Sequence, residues 1–250
     1  MRRSPALQPT LGSLPSILGY EMIKRITVVS ASIALGCLAT VVPVLTSLYV
    51  AKKDVERRER AEIKDFANKA IMRAEVVTSQ AFAALNDLDQ QPGAPCSPPN
   101  LEHAARVIYN YRYVQDAGAY ADGLYLCSPL LGDVRAKDLT LPPPDYQNNE
   151  GYSMWFRRKS PLSNERNDLQ IGRNGRYVSI DRGSYVDLID PAKRPIAAIQ
   201  TTTGTLIAVS TGADPGDMLN AWKQSGNVKS DEWNYAVAQS STRQIAVVVK

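Results

Sequence analysis

The sequence predicts an α+β protein behind a membrane anchor, and three observations carry that prediction. Residues 26–50 contain no charge, residues 51–88 hold an unbroken helical pattern without Pro or Gly, and β-rich runs separated by turn residues fill most of the chain beyond residue 168. Long helix, short helix and then mostly antiparallel strands with one intervening helix is an α+β plan. The composition, 44% hydrophobic and 22% charged, is that of a globular chain and excludes a disordered tail or fibrous repeat as the main body. A net charge of +4 with bases scattered among acids gives too weak a field for a nucleic-acid partner. With one histidine, His103, and three cysteines, a His/Cys zinc site would need nearly all of them to converge, so neither metal nor cofactor is expected.

Residues 1–25, with Pro5, Pro9 and Pro15, are expected to be a short cytoplasmic tail without a core. The apolar stretch 26–50 is long enough to cross a hydrocarbon core about 30 Å thick as a helix. It exceeds the h-region of a cleaved signal peptide, and no small-x-small site follows Tyr49, so an uncleaved anchor is favoured. Gly36 and Pro43 are tolerated there, because neighbouring groups can re-satisfy the backbone. Lysines and arginines flank both ends, so the positive-inside rule does not orient the span.

The soluble part is expected over 51–250, opening with a long signalling helix over 51–89. Ile63, Ala67, Ala70, Ala74, Val77, Ala81, Ala84 and Leu88 recur at alternating steps of four and three, the spacing of a coiled-coil seam. Two readings stand: a helix lying on its own domain, or a homodimer through the 51–88 helix. Gln91-Pro92-Gly93-Ala94-Pro95 ends the helix. Ser97 as N-cap and Pro98 at the first turn open a second helix to about Tyr113. A short strand over 123–127 and a proline-rich loop at Pro142-Pro143-Pro144 follow. Strands over 168–171 and 176–180 flank Gly172-Arg173-Asn174-Gly175, a hairpin signal. Further strands are expected over 184–189, 195–201, 205–210, 234–238 and 244–249, with a helix opened by Asp214 and Pro215 and ending near Gln224.

Cys37 falls in the apolar span. Cys96 and Cys127 lie in the soluble part, one just before the second helix and one at the end of the strand after it. A disulfide between these near ends is one reading and two unrelated buried thiols the other. Persistence of a disulfide would place the soluble part in an oxidising compartment.

Cys96-Ser97, the run Tyr111-Arg112-Tyr113-Val114-Gln115-Asp116, and Gly123-Leu124-Tyr125-Leu126-Cys127-Ser128 resemble the CSS-motif sensor domain that precedes the EAL domain in membrane-bound cyclic di-GMP phosphodiesterases of bacteria. Pro129 departs from the pattern, standing where the family usually has a second serine. The resemblance implies a PAS/Cache-like sensor in the periplasm, anchored in the inner membrane between two spans, with a cytoplasmic EAL domain behind the second. It also implies a Cys96–Cys127 disulfide, flanked by Ser97 and Ser128, whose oxidised form restrains the phosphodiesterase and which exchanges with periplasmic thiol-disulfide oxidoreductases. Neither a second span nor a Glu-Ala-Leu motif occurs in this sequence, so the chain itself is not expected to be an enzyme. The alternative is a small-molecule sensor in which the disulfide is purely structural.

Outside the cysteines, no Gly-x-Ser-x-Gly elbow accompanies His103, and a helix-surface role is favoured for it. Arg157, Arg158, Arg173 and Arg176 are candidates for an anion patch, against the simpler reading of a solvated face. Tyr152 and Trp155 are candidate pocket aromatics, against the simpler reading of core.

Overall fold

The computed structural model describes residues 17–137, 139–160, 163–190, 192–224 and 235–250. By the density of internal contacts the chain forms two units, Met1–Arg58 and Glu59–Lys250.

In the first unit the structure describes the start of helix α1 (Ile17–Gln90). Residues 17–25 of the expected tail are helical, and the apolar stretch is long and apolar enough to cross a membrane, with side chains such as Ile33, Leu38 and Leu45 exposed. Pro43 cannot donate to the helix ladder. The hydroxyls of Thr40 and Thr46 bond back to the helix backbone, Thr46 Oγ1 donating at 2.9 Å to the carbonyl of Val42, which is what a segment of membrane length requires of its polar groups.

In the second unit, the rest of α1 is followed by α2 (Pro98–Asn110), α3 (Pro215–Gln224) and eleven strands among the described residues. The first sheet has β1 (Val114–Ala121), β2 (Leu124–Ser128), β3 (Gly132–Asp133), β4 (Tyr146–Gln147), β5 (Ser153–Ser160), β6 (Ser163–Arg173) and β7 (Arg176–Asp181) in the order β3-β2-β1-β7-β6-β5-β4. The second has β8 (Ile196–Gln200), β9 (Thr205–Val209), β10 (Ala236–Gln239) and β11 (Ile245–Val249) in the order β10-β11-β8-β9. Every strand pair is antiparallel. The α+β class holds. Strands β6 and β7 meet through Asn174 and Gly175, both at positive φ (53° and 74°), the two-residue turn that matches strand twist.

Alternation along the strands sorts three apolar layers. Ile196, Ala198, Val247 and Val249 join Leu169, Ile171, Val178 and Ile180 of the first sheet in one core with α1. Ala197, Ile199 and Val248 point the other way, onto Met218 of α3. On the outer face of the first sheet Tyr125, Trp155 and Tyr177 pack with Val134 and Leu141 of the long loop. The Asp214 carboxylate accepts the Asp217 N–H at 2.7 Å, capping α3 as expected.

Ala67, Ala70, Ala74, Val77, Ala81, Ala84 and Leu88, the expected seam, are each at most 1% exposed and belong to this core, with Ile63 packed against it. Over 67–88 the first of the two readings describes the seam: the small side chains let the helix of this domain approach its own sheets closely. Polar contacts hold the same stretch along its length, from Arg194 on Glu62 (3.2 Å), through Arg73 on the Ser184 carbonyl (3.1 Å), to Arg173 on Asp89 (2.7 Å).

Three local expectations also change. The run 184–189 is not a strand: the Asp181 carboxylate accepts the Gly183 N–H and caps a 3₁₀ turn, Arg182–Tyr185, and Ile189 is 99% exposed. The second helix stops at Asn110, because Tyr111 turns extended and leads into β1. The sequence expectation contains none of β1, β3, β4 and β5.

Candidate functional site

Cys96 and Cys127 are joined by a disulfide, with their Cα atoms 5.8 Å apart. The two halves sit differently. Cys127 lies inside β2, 1% exposed, paired with Ala119 on one side and Asp133 on the other. Cys96 is half-buried in the connection from α1 to α2. The bond therefore ties the joint after the long helix to the thin edge of the first sheet, where β3 contributes only two residues.

Chain geometry around Cys127 is tight. At Gly118 of β1 a Cβ would stand 2.2 Å from the Cys127 carbonyl oxygen and 2.9 Å from the Tyr177 ring, so only glycine fits. Ser128, fully buried, accepts the Leu131 N–H at 3.0 Å and so shapes the turn after the motif despite Pro129.

A buried polar group lies directly behind. Asp116 of β1 is 2% exposed, and its Oδ2 accepts the Tyr177 hydroxyl at 2.9 Å. Burial drives its pKa up to about 6, against the Tyr177, Ser128 and Ala117 hydrogen bonds that favour the anion, with Asp168 raising it slightly further. The Ser128 hydroxyl lies close enough to favour the carboxylate, yet Asp116 Oδ1 completes no hydrogen bond of good geometry among the described residues. Burial, with the Asp116 charge beside it, raises the Tyr177 hydroxyl as well.

The Cys96 side is held by a relay. Arg176 Nη2 donates to Asn100 Oδ1 at 2.7 Å; Asn100 Nδ2 donates to the Pro92 carbonyl at 3.0 Å and to Ser97 Oγ at 3.2 Å. Ser97 occupies the N-cap position but makes no side-chain cap to the backbone; its hydroxyl serves Asn100 instead. Burial lowers the Arg176 pKa, opposed by the Asp89 charge. One strand away, Arg173 donates to Asp89 at 2.7 Å, to Asn86 at 2.7 Å and to the Tyr152 hydroxyl at 2.6 Å, with its guanidinium 4.6 Å from the Tyr152 ring centroid. Tyr152 stacks on Phe82 of α1 at 4.4 Å. His103 on α2 approaches the Asp87 carbonyl at 3.0 Å. The end of α1 and the joint behind it are thus gripped by the β6–β7 hairpin and by α2.

These contacts place the expected patch. Arg173 and Tyr152 come together, Arg176 faces the Cys96 joint, and both arginines have internal partners. Trp155 donates to the Pro142 carbonyl at 2.7 Å and packs edge-on to Tyr120 on the outer face. The side chains of Arg157 and Arg158 lie outside the described residues. Sequence reasoning missed Asp116, Asn100 and Gly118. An aspartate among alanines and a glycine in Val114–Ala121 was the available signal for two of them.

Fold and site define a class: an α+β domain of two antiparallel sheets on a long helix, closed by one disulfide and continuous in sequence with an apolar, membrane-length segment. The chain belongs to the family described as the CSS motif domain associated with EAL, whose profile matches residues 59–250. It is similar to the probable cyclic di-GMP phosphodiesterase PdeB of Escherichia coli (strain K12), 30% identical over 152 residues, which is 61% of this chain and 29% of PdeB. The match thus spans under a third of that relative's length.

Proposed function

We propose that the chain is a signal-input domain, anchored in the bacterial inner membrane with residues beyond the span in the periplasm, that controls a cyclic di-GMP phosphodiesterase domain through the redox state of Cys96–Cys127. The observation that supports this most is the position of the disulfide, which joins the end of α1 to a sheet edge. With the bond intact, the loop carrying Cys96 is fixed at its middle. After reduction it retains the Asn100 contacts to Pro92 and Ser97 and the Arg176 hydrogen bond.

Exchange begins at the accessible half. A thiolate of a dithiol oxidoreductase attacks Cys96 Sγ, Cys127 leaves as thiolate, and the second thiol of the reductant resolves the mixed disulfide. Two electrons and two protons pass to the chain, leaving two thiols, while the reductant becomes a disulfide. The freed joint then alters the hold on α1, and the oxidised state is the restrained one.

The test uses this chain ahead of a phosphodiesterase domain, in the full-length gene product or a fusion. Thiol trapping in cells should find Cys96 and Cys127 oxidised, and Cys96→Ser should raise hydrolysis of cyclic di-GMP to the level of the reduced wild type. Free thiols in unreduced cells would overturn the reading. So would Cys96→Ser protein that folds and hydrolyses at the oxidised rate, which leaves the bond a structural tie.

A further inference from the structure

The space between α1 and the two sheets is not filled. A cavity of about 150 Å³ opens there, with Phe82 of α1, Phe156 of β5, Leu169 and Ile171 of β6, Ile207 of β9 and Ile245 of β11 as its apolar walls. Protein interiors rarely leave voids much larger than a water molecule, and a cavity of this size, apolar at its base and lined by exposed Glu150, Thr242 and Gln244 where it opens, admits a body of roughly six to eight non-hydrogen atoms. One polar contact in the wall is closed on itself: the Thr78 hydroxyl donates to the Ala74 carbonyl at 2.9 Å and lies 3.1 Å from the Tyr185 hydroxyl. That part of the wall offers little to a charged ligand.

Two other lining residues carry charge. Arg243, in the turn before β11, lies with its guanidinium 4.7 Å from the Phe82 ring centroid, and Nη2 is 3.5 Å from Ser79 Oγ. No carboxylate among the described residues forms an ion pair with it, whereas Arg173 has one and Arg194 has two. Glu150 lines the same cavity and likewise makes no ion pair among the described residues. A guanidinium beside an apolar chamber matches a carboxylate carrying an apolar body, because its planar fork can donate two hydrogen bonds. Glu150 disfavours a second negative charge on the same ligand.

We propose that this cavity is a binding site for a small organic monocarboxylate with a compact apolar body, the carboxylate on Arg243 and the body between Phe82 and Phe156. The site discriminates against dicarboxylates and inorganic phosphate through Glu150. It is separate from the disulfide and does not rest on the redox reading.

Isovalerate, benzoate, succinate and inorganic phosphate, each at about 10 mM to reveal dissociation constants in the millimolar range, test this with the full chain in detergent, by calorimetry and thermal shift. Isovalerate or benzoate should bind and raise the melting temperature, while succinate and phosphate should not. Arg243→Gln should weaken the monocarboxylate at least about tenfold. Arg243→Lys, which keeps the charge and guards against a folding defect in the first variant, should weaken it less. Glu150→Gln should let succinate bind. Failure of both monocarboxylates to bind folded wild-type protein would overturn the proposal, as would binding unchanged in Arg243→Gln or equal affinity for succinate in the wild type.

Discussion

The disulfide end of the domain and the cavity between its sheets treat charge and space in opposite ways. Around Cys127 there is no room for one added methyl at Gly118, and Arg173 and Arg176 hydrogen-bond to Asp89, Asn86 and Asn100. Between the sheets there is room for a small molecule, and Arg243 and Glu150 form no ion pair among the described residues. One region is arranged to hold the chain to itself, through a covalent bond and paired charges. The other can accept something without breaking a bond. The two regions meet on one helix, since Asp89 of α1 pairs with Arg173 and Phe82 of α1 both stacks on Tyr152 and lines the cavity.

The sharpest way to break this contrast is at Gly118. Gly118→Val should cost more than about 4 kcal/mol, enough to prevent folding, because the Cys127 carbonyl is backbone and cannot step aside. A variant with the wild-type urea midpoint would show that the close approach is absent. Next comes the covalent tie. Cys96→Ser with Cys127→Ser frees a loop closed at a sequence separation of 31, worth about 3–4 kcal/mol in the chain-entropy model. The melting temperature should fall by about 10 °C. An unchanged value would mean that neighbouring contacts alone fix the joint.

Acid offers a finer test of the same region. The pKa of Asp116 is raised in the folded state, from 3.8 to about 6. The folded protein therefore binds this proton more tightly than the unfolded chain. The resulting stability is fully present below about pH 3.8 and is lost as pH rises through 6, at most roughly 3 kcal/mol. Asp116→Asn should remove that slope, so that the difference between variant and wild type grows in the variant's favour from pH 5 to 7.5. Urea titrations at the two pH values check it, and a constant difference would remove Asp116 as its source. The smallest effects compare two arginines. Arg173→Ala should lose about 1–2 kcal/mol, since it removes the charged donor shared by Asp89, Asn86 and Tyr152 and leaves Asp89 with the Asn174 amide alone. Arg243→Gln should lose under about 1 kcal/mol, having no acid partner to strand. Equal losses would erase the distinction between the regions.

The sequence made the regular parts of this fold readable and hid those set by contacts distant in the chain. The hairpin turn at Asn174-Gly175 and the helix opened by Asp214 and Pro215 are local chemistry, and both form where expected. The alanine periodicity located the buried face of α1 but not its partner, because a seam of small residues suits a second chain and a neighbouring sheet equally. Strand β1 was invisible for a physical reason. Its residues, VQDAGAYA, lack the β-branched pattern of a strand, since Gly118 must pass close to Cys127 and Asp116 must reach Tyr177. The motif cysteines were legible from the resemblance, whereas Asn100 and Arg176 as holders of the Cys96 joint depend on the register of β6 with β7 and on the start of α2. The cavity has no signature at all, being formed by α1, both sheets and three loops.

The unequal burial of the two bridged sulfurs has a practical consequence for anyone counting thiols. The disulfide-bonded structure has Cys96 on a loop and Cys127 within a strand, 1% exposed, and reduction is expected to leave the strand in place. Alkylation should then be biphasic, with one equivalent taken up at once and the second only as fast as the sheet edge opens. Cys37, in the apolar segment, calls for a Cys37→Ala background in such a count. A single rapid label per chain would be the signature of a fully reduced domain, not of a half-reduced population.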